Sequence, residues 1–262
     1  MRIEPGPAER GALRRVRVVL TCGSALDEDT LRAMWRFRLS VMKLKPAVDA
    51  ATDWEKYAGF ARAADHVALL WDGDGAVCGT AMFALVQGQG WLLALMEYVF
   101  VAPGLQGNPM LPRAAIRLLV AMFRARRGRR LFAAGAGYPV SMLLLGRYFP
   151  PLFMDGEPIT DPLLGTVLEA ARARLAGAAW NAERGNVELP TIPPEPPPWW
   201  FAMAQRDPAY ARYTALNPHW RLGFGLVCLS EIHVRHALVL GVGFARRTVR
   251  QLRRGLGVRV HV

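Results

Sequence analysis

The sequence predicts an α/β (α+β) fold: a mixed, mainly antiparallel central sheet flanked by helices, with a helical C-terminal half. Three observations predict it. Of 262 residues, 52% are apolar and 21% charged, enough apolar material to bury a core and too much for global disorder. Residues 66–101 hold three apolar runs separated by Asp72-Gly73-Asp74-Gly75 and Gly88-Gln89-Gly90, the pattern of an antiparallel meander. Segments with apolar residues at helical spacing stand on either side of it.

The β-branched run from Arg15 to Thr21 reads as a first strand. Asp27 or Asp29 then caps a helix on which Leu31, Met34, Trp35, Leu39 and Met42 share a face, and a second helix is expected from Asp53 to Ala64. The meander strands are His66–Trp71, a run from Ala76, and a run from Trp91 that ends at Val101. A loop from Ala102 to Leu111 leads to Pro112, suited to the first turn of a helix. Ile116, Leu119, Val120 and Phe123 are its expected buried stripe, beside Arg113, Arg117 and Arg124. A strand after Gly128 and a short helix over Ser141–Phe149 complete residues 1–150, read as the core.

Residues 151–262 read as an extension packed on that core. They comprise a helix opening at Asp161-Pro162, a proline-rich strap from Leu189 to Trp200, a helix over Pro208–Leu216, a strand over Gly225–Glu231 and a basic amphipathic helix from Val234 to Arg254.

Thirty-three Lys and Arg against 21 Asp and Glu give a net charge of +12, and only Lys43, Lys45 and Lys56 are lysines. An arginine-rich excess favours an anionic partner: a phosphorylated cosubstrate, an acidic protein, a lipid surface or nucleic acid. Nucleic acid is the least favoured, because no aromatic-basic interleaving accompanies the charge. Cys22, Cys78 and Cys228 stand far apart in apolar surroundings and read as reduced core thiols. Met1 to Arg15 has no apolar core of a secretory signal, so a cytoplasmic protein is expected, with peripheral membrane contact through the Arg246–Arg254 helix as an option. His233, His236 and Glu231 suit one helix face, but no further ligand is visible and no metal is expected. Hydrolase, NTPase and dehydrogenase fingerprints are absent.

Glu97 stands alone among apolar residues, four before the end of the strand closing at Val101. A carboxylate buried there has its pKa raised toward neutrality and suits a general base, while the competing structural role is an ion pair with an arginine.

The order β-α-α-β-β-β-loop-α-β-α, with the long strand ending in Val101-Ala102-Pro103, resembles the GNAT acyltransferase superfamily over Arg15 to Phe149. Trp35 to Met42, Asp53, Asp65-His66-Val67-Ala68 and Gly79-Thr80 look like its branch of autoinducer synthases and long-chain N-acyl amino acid synthases. Met82 and Phe83 stand where that branch has an arginine. The resemblance implies transfer of an acyl group from a pantetheine thioester, on acyl carrier protein or CoA, to the amine of a small molecule, with no tightly bound cofactor. It places the phosphate-binding turn at Gln106, Gly107, Asn108 and Met110, with Arg113 and Arg117 one turn apart behind it. It implies oxyanion donors near Phe100 and Val101, Glu97 as base, and Tyr148, or else Tyr138, as acid. Phe83, Trp91, Met96, Phe100 and Met110 are then tunnel residues or plain core. The rival expectation is a catalytically inactive GNAT-fold binding or membrane-associated module.

Overall fold

The meander forms as the turns dictate. In the computed structural model, which describes residues 16–105, 110–175, 180–181, 183–196, 198–236 and 238, strand β3 (His66–Trp71) runs into β4 (Val77–Gly88) and β4 into β5 (Trp91–Val101), all antiparallel. Asp72 Oδ1 accepts from the N–H groups of Asp74 and Ala76, and Gly75 and Gly90 take the positive φ that each reversal needs. Strand β1 (Arg17–Thr21) pairs with the outer edge of β3.

On the other side β6 (Arg130–Gly137) lies parallel to β5. The second half of the chain continues the same sheet: β11 (Phe224–Glu231) pairs with β6, and β7 (Leu152–Met154), β8 (Trp180–Asn181) and β9 (Asn186–Glu188) extend it, among the described residues, to nine strands in the order β1-β3-β4-β5-β6-β11-β9-β8, with β7 also on β11. The sheet is therefore mixed and mostly antiparallel. Two short strands, β2 (Lys43–Leu44) and β10 (Thr191–Ile192), form a separate ribbon.

Helices cover both faces because strand residues alternate. On one face α1 (Glu28–Val41) and α2 (Ala50–Ala63) bury Leu31, Met34, Tyr57 and Ala61 against Val67, Leu69 and Met82. Beside them α5 (Pro162–Leu175) sets Leu164, Val167, Leu168 and Ala171 on Leu93, Leu95, Phe132 and Ala134. The opposite face carries α3 (Met110–Ala125), α4 (Pro139–Tyr148) and α7 (Pro208–Leu216), packed over Ala68, Phe83, Leu92, Ala94, Leu131, Ala133 and Cys228. A short helix, α6 (Pro198–Ala204), follows the strap.

Several expectations need correction. Helix α2 begins at Ala50, not Asp53, because Asp49 is its cap: Asp49 Oδ2 accepts from Thr52 N–H at 2.8 Å. Asp53 lies inside the helix and points inward. On α3, Leu119 is buried as expected, together with Ala114, Leu118 and Met122; Ile116 and Phe123 are partly buried, and Val120 is 42% exposed. The centre of the buried face thus lies about one residue round the helix from the predicted stripe, a rotation of ~100°. Cys22 is exposed, whereas Cys78 and Cys228 are buried.

The proline-rich strap packs on the core: β10 pairs with β2, the Lys45 N–H donates to the Pro190 carbonyl, and Trp200 is buried against Phe201 and Tyr210. The basic helix expected to reach Arg254 lies, beyond residue 238, outside the described residues. Among the described residues no helix is long and apolar enough to cross a membrane.

Candidate active site

The site starts from a disagreement between two strands. The parallel ladder of β5 with β6 ends at Leu95 and Ala134. Past that point β5 still follows β4 as far as Val101 opposite Gly79, while β6 follows β11 as far as Gly137 opposite Leu226. Tyr213 fixes the second course: its hydroxyl donates to the Gly137 carbonyl at 2.5 Å and accepts from Leu226 N–H at 3.2 Å. The two strands, each held by a different partner, part within the sheet.

Exposure follows the parting. Trp91 to Leu95 are buried, whereas every residue from Met96 to Val101 is partly or fully exposed, although β5 is an interior strand. Gly135 marks the last close approach, because a Cβ there would come within 2.9 Å of the Met96 carbonyl. Beyond it β6 offers only Ala136 and Gly137, both small residues.

A bulge shapes the β5 side. Met82 faces Glu97 and Thr80 faces Phe100, so Tyr98 and Val99 together oppose Ala81. Tyr98 adopts φ 51°, a left-handed conformation that a tyrosine takes only when its surroundings enforce it. Thr80 Oγ1 donates to the Tyr98 carbonyl at 3.1 Å, and the Tyr98 ring meets Tyr57 edge-on at 4.9 Å between centroids.

The Arg38 guanidinium lies over both rings, 5.1 Å from Tyr57 and 5.4 Å from Tyr98. It is fully buried, bonded to Asp53 Oδ2, which also accepts from Trp35 Nε1 at 2.7 Å. Among the described residues Arg38 Nε and Nη1 and the Tyr57 hydroxyl find no hydrogen-bond partner. Burial pushes the Tyr98 hydroxyl up to about 12, against the Arg38 charge.

Glu97 shares the sheet face of Leu93 and Leu95, toward α5. The ion pair entertained for it is not formed: among the described residues no hydrogen bond or salt bridge reaches its carboxylate. Burial pushes its pKa up to about 8, and the more distant Arg174 charge offsets only part of that shift. A largely buried but accessible carboxylate that gains its proton near neutrality, beside the parting of two strands, can take a proton from an ammonium.

Backbone donors complete the wall. Ala102 N–H donates to the Cys78 carbonyl, so strand alternation leaves the Val101 N–H facing away from β4, on the side where β6 has parted. The same alternation turns the Phe100 N–H toward Thr80 and into the ladder.

No family model and no curated protein matches the chain. Solved structures do. They include a conserved protein of unknown function from Enterococcus faecalis V583 (13% identity, TM-score 0.39, 51% of this chain and 31% of that chain). An acyl-CoA N-acyltransferase from Pseudomonas aeruginosa is similar at 16% identity and TM-score 0.38, over 56% of this chain and 92% of its own. Escherichia coli ElaA is similar at 13% identity and TM-score 0.40, over 56% and 94%.

The remaining expected residues are scattered. Gln106, Gly107 and Asn108 lie outside the described residues, and Met110 opens α3. Arg113 and Arg117 are exposed on the first two turns of that helix. Tyr148 closes α4, on the sheet face opposite Glu97, so the structure does not bring the two together. Tyr138 precedes α4 at the end of β6, and its hydroxyl donates to the Thr191 carbonyl at 2.5 Å. Trp91 and Phe83 are core; Met96 and Phe100 are partly buried at the gap. Glu231 is held bidentately by Arg130, and His236 Nδ1 accepts from the His233 N–H.

Arg38 and Tyr98 are the residues sequence reasoning passed over. A signal existed for Arg38: it falls seven after Leu31 and four after Met34, a charge on the buried stripe of an amphipathic helix. None existed for Tyr98, whose backbone conformation follows from the bulge.

Proposed function

We propose that the protein is an acyltransferase of GNAT-like fold that moves an acyl group from a pantetheine thioester, on acyl carrier protein or CoA, to an amine. The observation that carries this is the parting of β5 and β6 with Glu97 on its wall. An extended pantetheine arm carries amides that can pair with the strand edges left open beyond Leu95 and Ala134. That pairing would lead the thioester carbon toward Val101 N–H, a donor for the tetrahedral oxyanion.

Glu97 takes the proton of the attacking ammonium, the amine nitrogen bonds to the thioester carbon, and collapse of the tetrahedral species breaks the carbon–sulfur bond. Glu97 then gives its proton to the departing thiolate, and the nitrogen loses its second proton to solvent, giving amide and free thiol. Tyr148 closes the helix on the other face of the sheet, and the protonated Glu97 supplies the role of acid. Arg113 and Arg117 stand at the positive end of α3, where they favour the phosphate of the arm.

The test is incubation of the protein with a panel of acyl carrier protein and acyl-CoA donors and primary amines, reading released thiol. Turnover is expected to rise with pH to a plateau above about pH 8, the value burial gives Glu97. Glu97→Gln should lower kcat about 100-fold or more with donor affinity unchanged. Donors neither bound nor consumed, or equal loss of binding and turnover in the variant, would overturn the reading.

A further inference from the structure

The arginines of this protein are not evenly distributed. Residues 98–154 contain eight arginines and no acidic residue. Some arginines of the fold are matched: Arg32 and Arg62 with Glu28, Arg172 with Asp155 and Glu169, Arg212 with Glu157, and, within this stretch, Arg130 with Glu231. On α3 they are lined up. Arg113, Arg117, Val120 and Arg124 follow one another at steps of four, three and four, on one side of the helix, and all four are exposed. Arg127 continues the line in the turn just past the helix end, also exposed.

Among the described residues no ion pair or hydrogen bond reaches the guanidinium groups of Arg117, Arg124 or Arg127. Like charges four apart on a helix repel and weaken it. Only Arg124 and Arg127 sit where the helix dipole rewards a cation; Arg117 and Arg113 do not. Arg117, in the middle of the line, is thus accounted for neither by an ion pair among the described residues nor by the helix dipole.

We infer that this line on α3 is a docking surface for an acidic protein, the acyl carrier protein that delivers the thioester. The inference rests on the acyltransferase reading for the purpose of the contact and on the line itself for its chemistry. Helix α3 is reached from the end of β5 past the turn Pro103–Leu105, so the N-terminal end of the line lies toward the gap that the partner's arm must enter. Val120, 42% exposed, sits within the cationic line. An apolar contact inside a charged surround matches the anatomy of a protein interface, whereas a nucleic-acid backbone offers phosphates and no apolar counterpart there. A partner met through unpaired charges associates quickly and with strong dependence on ionic strength.

The test uses the full chain and two donors with the same acyl group: octanoyl acyl carrier protein, and S-octanoyl-N-acetylcysteamine, which has the thioester but no carrier surface. The Arg124→Glu/Arg127→Glu double variant should raise KM for the carrier donor about tenfold or more and leave kcat/KM for the small thioester within about twofold. Added salt should reproduce the first effect in the unaltered protein and spare the second. Carrier KM unchanged by the variant, or equal loss with both donors, would overturn the docking surface. Binding of fluorescently labelled carrier protein, followed by anisotropy, separates the two claims. If neither donor is consumed but the carrier binds and the double variant abolishes binding, docking stands and the acyltransferase reading falls. Binding of a double-stranded RNA or of anionic vesicles through these arginines, without binding of the carrier, would replace the inference.

Discussion

Glu97 combines two properties that rarely coincide, partial exposure and a pKa near 8, and the sign of its contribution to stability follows. Its folded-state value lies well above its ordinary one of 4.5, so the folded protein favours the protonated form. Below pH 4.5 both states are protonated and nothing is lost. As pH rises from there the unfolded chain ionises first and stability falls, until the loss is complete above about pH 8. Glu97→Gln should therefore melt at the same temperature as the unaltered protein at pH 4 and at a higher one at pH 9; a difference independent of pH would show that burial does not perturb this carboxyl. Arg38 and Asp53 behave oppositely. Removing one member strands the other's charge in the core, so Arg38→Met should cost about 3–5 kcal/mol by urea denaturation, and Arg38→Met/Asp53→Leu should recover much of it. Glu97 was legible in the sequence because one acid among apolar residues is conspicuous. Its missing ion pair was not, since pairing depends on which helices reach that face.

At the scale of elements, legibility tracked local chemistry. Strand β5 runs from Trp91 to Val101 as the turn residues indicated, and α1 begins where Asp27 accepts from Thr30 N–H at 2.7 Å. Helix α2 was placed late because Asp49 and Asp53 are both plausible caps by residue type, and only tertiary structure assigns Asp53 to Arg38. Asp27→Ala and Asp49→Ala should each cost about 1 kcal/mol in chemical denaturation, and together about twice that, since they cap different helices. A negligible cost at Asp49 would mean that packing of Tyr57 and Ala61, rather than the cap, sets where α2 starts. The short strands β2, β7, β8, β9 and β10 were not foreseen. Two or three residues carry no periodicity, and their pairing is decided by partners as distant as Lys43–Leu44 and Thr191–Ile192.

For the whole molecule, the sequence showed the strands but not that β11 would sit beside β6. That placement positions the site: by holding β6 through Gly137 it draws that strand away from β5 and opens the sheet. A surface cavity of about 740 Å³, lined by residues including Pro150, Leu152, Glu157, Asp207 and Arg212, lies apart from Glu97, and its Glu157 and Arg212 are already paired. The gap, not that cavity, is the place where a thioester arm is expected. Backbone amides at an unpaired strand edge exchange with solvent, and a ligand that pairs with them slows the exchange. Hydrogen–deuterium exchange with a non-hydrolysable octanoyl-pantetheine thioether therefore tests the central claim most directly. Protection should appear in residues 96–101 and 135–137. Bound thioether that leaves both stretches unchanged and protects residues 150–158 and 207–212 instead would contradict it.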